Sequence, residues 1–135
     1  MQPAILYIST FAVFLGLDYV GLSYLIKPVF DEEIGHLLLD GFRVLPAFVF
    51  YAFYAAVLVW FVGLPALRER RGIGWVLGNG ALLGAMGYGT YEFSSYAVMA
   101  DWTLRLVLTD VTWGTCLTAV SAAAGVWITR MIASR

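Results

Sequence analysis

An all-helical, polytopic membrane protein is the fold class this sequence predicts, and three observations predict it. Of its 135 residues 61% are hydrophobic and 13% charged, where ordinary globular chains carry roughly 25% charged residues, so a solvated globular surface cannot be built. The apolar residues gather into four stretches, each long enough for ~30 Å of hydrocarbon, which takes about 20 residues at ~1.5 Å per residue. The connections between these stretches are short, so residues 1–135 read as a single domain, a four-helix antiparallel transmembrane bundle. Eight Lys/Arg against nine Asp/Glu give a net charge of -1, which leaves no basic surplus to neutralise phosphates and excludes a nucleic-acid partner. The same apolar composition excludes disorder.

The first span runs from about Ala4 to Ile26 and is interrupted only by Asp18. It is expected to be retained, because Met1-Gln2-Pro3 lacks the basic start of a signal peptide and the stretch ends at Lys27-Pro28 rather than at a small-residue cleavage site. Residues 28–41 then predict a short amphipathic helix between spans one and two. Pro28 suits its first turn, Asp31 to Glu33 complement its positive start, and Gly41 suits its end. Phe30, Ile34, Leu37 and Leu38 fall on one face, so the helix is expected to lie in the interface like a lid. The second span, Val44 to Leu64, carries no charge; the third, Ile73 to Met99, contains Glu92; the fourth, Leu106 to Ile128, contains Asp110. Cys116, the single cysteine, falls mid-span as a small core residue and excludes a disulfide.

Orientation follows from the basic residues, which stay on the cytoplasmic side. Arg68, Arg70, Arg71, Arg130 and Arg135 fall on one side, and Lys27, Arg43 and Arg105 on the other. The bias places both termini in the cytoplasm, with dual topology as the alternative.

Polar chemistry concentrates in the outward half. A carboxylate at the centre of a span costs about 2.5 to 3.5 kcal/mol even on the lenient insertion scale, so Asp18, Glu92 and Asp110 each need a reason. Asp18 is nine residues before Lys27, Glu92 nine before Asp101, and Asp110 nine after it, which puts all three about 13 Å below the outer boundary. Tyr51 and Tyr54 of the second span reach that depth. Tyr88, Tyr91 and Ser94 flank Glu92, while Thr112 and Trp113 flank Asp110. The result is a candidate acidic site walled by aromatic rings. With no Lys or Arg deep in any span, the acids must be protonated, hydrogen-bond to these hydroxyls, or meet a cation or water. Alternatively they are interhelical hydrogen-bonders that hold the bundle together.

Gly80 and Gly84 have the small-xxx-small spacing that lets helix backbones touch, either within the chain or in a homodimer. His36, the only histidine, has Glu32, Glu33 and Asp40 at helical spacing. That pattern fits a divalent cation or a pH-responsive lid as well as a solvated face, and no metal is assigned to it. No nucleophile with its base and no phosphate-binding glycine loop is present, since Gly87-Tyr88-Gly89 follows no strand. No cofactor is expected.

Several stretches together resemble a known family: Phe14-Leu15-Gly16-Leu17-Asp18-Tyr19, Pro46 through Tyr54, Pro65-Ala66-Leu67, Gly80 through Glu92, and Asp110-Val111-Thr112-Trp113-Gly114-Thr115. They are similar to the membrane proteins grouped as domain of unknown function 2177, and the likeness spreads over nearly the whole chain. The chain departs from the family pattern at Glu92-Phe93-Ser94-Ser95, where the family has Asp-Leu-Thr-Asn: the carboxylate is kept, and Ser95 replaces the amide. The resemblance implies a bacterial inner-membrane location and brings no activity with it.

Three functions stay open at this point. The first is binding or processing of a lipid-like or apolar molecule that enters from the outer leaflet, with one protonated and one ionised carboxyl able to act as acid and base, for example in an isomerisation. The second is proton-coupled transport of a small cationic ligand by a homodimer. The third is a structural or assembly role. Besides membrane lipid, the expected partners are therefore such a ligand and a second copy.

Overall fold

The computed structural model describes residues 2–38 and 43–133; Asp40 and Gly41, invoked above for the lid helix, lie outside them. Nearly all of this chain is helical, and no strand occurs among the described residues. The first helix, α1 (Gln2–Gly21), runs through a π turn (Leu22–Ile26) straight into α2 (Lys27–Ile34) and a closing 3-10 turn (Gly35–Leu37). After the undescribed connection come α3 (Val44–Leu58), a second π turn (Val59–Gly63) and α4 (Leu64–Arg68), then α5 (Ile73–Val98) and α6 (Leu104–Ala133).

Both π turns end just before a proline, Pro28 in one helix and Pro65 in the other. A proline has no N–H for the ladder and its ring crowds the preceding turn, and a wider turn accommodates that without breaking the helix. That is why Lys27-Pro28, which reads in sequence as the end of a span, is the interior of a helix.

Three of these continuous helices are long and apolar enough to cross a membrane: Gln2–Leu37, Val44–Arg68 and Leu104–Ala133, of 36, 25 and 30 residues. At 26 residues α5 extends about 39 Å, which is sufficient length. Its glycines, Asn79 and tyrosines dilute its apolar character, and it does not join the other three on composition.

α6 is the centre of the bundle, packed on α1 along one side and on α5 along the other. Its buried face carries Asp110, Gly114, Thr118, Ser121, Gly125 and Thr129, a series of small or polar residues at helical spacing. Backbones therefore approach closely. A Cβ on Gly84 of α5 would stand 2.8 Å from the Gly114 carbonyl and 2.7 Å from Thr118 Cβ, and one on Gly80 would stand 3.0 Å from Ala119 Cα. The small-xxx-small pair thus faces α6 of the same chain. Cys116 lies two positions from this face and is exposed, a correction to its expected place in the core: two residues rotate a helical side chain by about 200°.

The apolar core lies toward the end of the bundle where α1 starts and α6 finishes. Leu6, Leu58, Val62, Val76, Ala122 and Val126 meet there, and the Tyr7 hydroxyl donates to the Ala52 carbonyl at 2.9 Å. At the other end Val29 and Ile34 of α2 bury against Trp102, Leu106 and Val107, and Phe30 meets Trp102 edge-on. The expected lid is therefore a docked extension of α1. Leu37 and Leu38, expected on its buried face, are exposed, because the partner is the start of α6 and Val29 takes their place. Around this contact Arg105 pairs with Glu32 and Glu33, Lys27 with Asp31, and His36 Nε2 with Asp101 at 3.1 Å. The Thr103 hydroxyl accepts the Leu106 N–H at 3.3 Å and caps α6.

Gly84→Ala is expected to lower stability by about 1–3 kcal/mol, since the added methyl meets backbone that cannot yield. Gly78→Ala, whose Cβ would meet nothing within 4 Å, is expected to be neutral or stabilising by up to about 1 kcal/mol. Denaturant unfolding in detergent micelles checks both.

Candidate functional site

The three acids come from three helices, and all are inaccessible: Asp18 on α1 is 4% exposed, Glu92 on α5 is 0% and Asp110 on α6 is 6%. Asp110 faces Glu92 across the α5 and α6 contact, and Asp18 faces Asp110, Tyr51 and Trp113. They form one layer, as their common distance from the connections requires. A layer of carboxyls in an apolar bundle is costly unless each oxygen finds a proton or a donor.

Tyrosines on α3 and α5 surround the layer. Tyr51 stands against Asp18 with its ring 5.6 Å from that of Phe14. Tyr54 lies deeper, where its hydroxyl shares a 2.9 Å hydrogen bond with Thr118 and its ring meets Tyr88 edge-on at 6.0 Å. Tyr88 lies within reach of the charges of both Asp18 and Asp110. Its ring occupies the space that Gly114 leaves, since a Cβ there would fall 2.1 Å from Tyr88 Cγ. Trp113 does the same at Gly21 of α1, where a Cβ would fall 2.1 Å from the indole ring. Two glycines thus let two large rings into the layer.

Tyr91 is at the rim, exposed on one side and edge-on to Trp102 at 5.7 Å on the other. Ser94 and Thr112 are both exposed and do not join the layer. Each is two positions from its helix's acid, hence about 200° around the axis, and proximity in sequence misplaces them.

Some polar partners were not legible in the sequence. Trp102, in the turn between α5 and α6, donates its indole N–H to Glu92 Oε1 at 2.9 Å. The residue falls outside every apolar span, and only its position between Asp101 and the start of α6 hints at a role. Two buried atoms of the layer, Glu92 Oε2 and Trp113 Nε1, make no hydrogen bond of good geometry, although Glu92 faces the Asp110 carboxyl and Trp113 faces the Asp18 carboxyl within interaction range. One is an acceptor and the other a donor. Deeper, the buried hydroxyls of Thr10 and Ser121 are also without partners, while Thr118 and Thr129 return theirs to carbonyls of their own helix at 2.7 Å. Around His36, Glu33 is taken by Arg105, and no group of three or more His, Cys, Asp or Glu side chains suited to a metal occurs among the described residues.

Several helices long and apolar enough to cross a bilayer define the class: this is a multi-pass integral membrane protein. It belongs to the family of predicted membrane proteins with domain of unknown function 2177 (DUF2177), whose pattern matches residues 3–127. No curated protein and no solved structure matches the chain.

Trp102→Phe keeps most ring contacts but removes the donor to a fully buried carboxylate, and is expected to cost about 1–3 kcal/mol. Ser94→Ala and Thr112→Ala, on outward faces, are expected to stay within about 0.5 kcal/mol of the parent protein. Thermal and denaturant unfolding of the three variants side by side is the check.

Proposed function

We propose that this protein binds a small lipid-like or apolar molecule, with at least one hydrogen-bonding group, at the Asp18, Glu92 and Asp110 layer. The observation that carries the reading is a pair of imperfectly matched atoms there. Glu92 Oε2 and Trp113 Nε1 are buried without a hydrogen bond of good geometry, facing only the Asp110 and Asp18 carboxyls, in a setting where an unmatched polar group costs about 1–3 kcal/mol or more. A ligand that donates to the first and accepts from the second removes that cost, and the rings of Tyr51, Tyr54, Tyr88 and Tyr91 supply apolar walls. α3 packs mainly on α1 and meets α5 through Tyr54, whose ring lies against Gly87 and Tyr88.

In this reading α5 is also a span, the third of four in chain order, the chain is an inner-membrane protein, and both termini are cytoplasmic, in keeping with the arginines at that end. Acid-base chemistry on the bound molecule would use the facing pair Glu92 and Asp110, one protonated and one ionised. Transport is less well supported, because the apolar cluster around Leu6, Leu58 and Val126 separates the layer from the opposite end. A purely structural role would rest on Asp110 bonding to Glu92 and Asp18 to Trp113 across the helices.

Native mass spectrometry of the protein released from mild detergent, beside Asp110→Asn and Glu92→Gln, is the direct test. The expected result is a defined mass on the parent protein that both variants lose while keeping their melting temperature within a few degrees. A protein without such a mass, or variants that lose it only by unfolding, would overturn the binding reading in favour of carboxyls acting as interhelical glue. A ligand-free dimer would redirect the question to proton flux in liposomes.

A further inference from the structure

At the opposite end of the bundle the chain builds a cationic cleft of about 360 Å³, lined among others by Gln2, Arg70, Arg71, Gly72, Thr129 and Arg130. α4 closes there with the Arg71 N–H bonded to the Ala66 carbonyl at 2.9 Å and Arg70 in the left-handed region at φ 55°. This helix ending normally takes glycine. An arginine here puts two consecutive guanidinium side chains at the mouth of the cleft.

The arginines are differently held. Arg71 is fixed by Glu69 at 3.0 Å and by the Trp75 ring, 5.3 Å from its guanidinium carbon. Arg130 donates to the carbonyls of Ala66, at 3.2 Å, and of Arg71, neutral acceptors that position the guanidinium without cancelling its charge. Among the described residues neither Arg70 nor Arg130 meets a carboxylate. The cleft is also lined by Gly72, the cap residue of α5, and so adjoins the positive end of a long helix. One carboxylate against three guanidiniums and a helix N-terminus makes an anion site.

A second cleft, of about 260 Å³, adjoins it and shares Gln2 and Leu67. Its other walls are Pro3, Leu64 and Arg68, so it is mostly apolar. A phosphate site that continues into an apolar groove along a membrane helix has the shape of a lipid: headgroup at the arginines, acyl chain along α1 and α4.

We infer that this cleft binds a phosphate oxyanion, supplied by the headgroup of an anionic phospholipid. It is remote from the carboxyl layer and does not depend on the function proposed for that layer.

The test uses the full chain in detergent, titrated with phosphatidylglycerol, phosphatidylcholine or inorganic phosphate and followed by native mass spectrometry. Arg70→Gln is the informative variant, because that side chain makes no ion pair within the described residues and its loss leaves the packing intact. Arg105→Gln, at the far end, controls for net charge. The expected result is phosphatidylglycerol bound in preference to phosphatidylcholine, weakened about five- to tenfold by Arg70→Gln and unchanged by Arg105→Gln. Inorganic phosphate bound as well as the lipid, and lost in Arg70→Gln, would keep the anion site but overturn the lipid as its source. Equal binding of the two lipids without phosphate binding, or equal weakening by both variants, would overturn the site.

Discussion

Close approach along one face of α6 is the constraint on which the bundle depends. In a bilayer the lipid is as apolar as the protein core, so helices gain little from hiding apolar side chains and must gain from contact and hydrogen bonding. Gly114, Thr118, Ser121 and Gly125 keep that face thin enough for α5 to meet α6 backbone to side chain and for Thr10 of α1 to lean against Gly125. The same thinness sets the depth at which large rings can enter. Tyr88 reaches across Gly114, and Trp113 across Gly21, so the aromatic part of the carboxyl layer is a consequence of how the helices pack.

The layer itself opposes stability. Three carboxyls and their hydroxyl neighbours would each be cheaper in water, and a bundle of this size held only by apolar contact could place leucine there. The partners come from within the layer: Trp102 serves one Glu92 oxygen, Thr118 serves Tyr54, Asp110 faces Glu92, and Asp18 faces Tyr51 and Trp113.

The two ends of the bundle treat charge in opposite ways. Where α2 docks on the start of α6, Arg105, Glu32, Glu33, His36 and Asp101 pair with one another, and exposed pairs of this kind contribute little to stability individually. They nonetheless match one another around the buried contact of Ile34 with Leu106. Where α4 turns into α5, positive groups outnumber carboxylates and are held by carbonyls and a ring. At one end carboxylates outnumber the basic groups that pair with them, and at the other the guanidiniums outnumber the single carboxylate.

The sequence by itself determined the class of protein and the level of the site. Composition and span length depend on residue counts, and the common layer of Asp18, Glu92 and Asp110 follows from their equal nine-residue spacing from Lys27 and Asp101. Rotation about each helix axis was decided by the tertiary structure. In lipid both the inner and the outer face of a helix are apolar, so no amphipathic pattern marks which way Ser94, Thr112 or Cys116 points, and the acids alone reveal the inward side. The continuity of α1 with α2, the docking of Val29 and Ile34 on α6, and the choice of Trp102 as partner for Glu92 all join residues whose meeting depends on how helices pack. Arg70 is the local counterpart: nothing in its neighbours' chemistry announces a left-handed residue, and only the closing bond from Arg71 to Ala66 requires one.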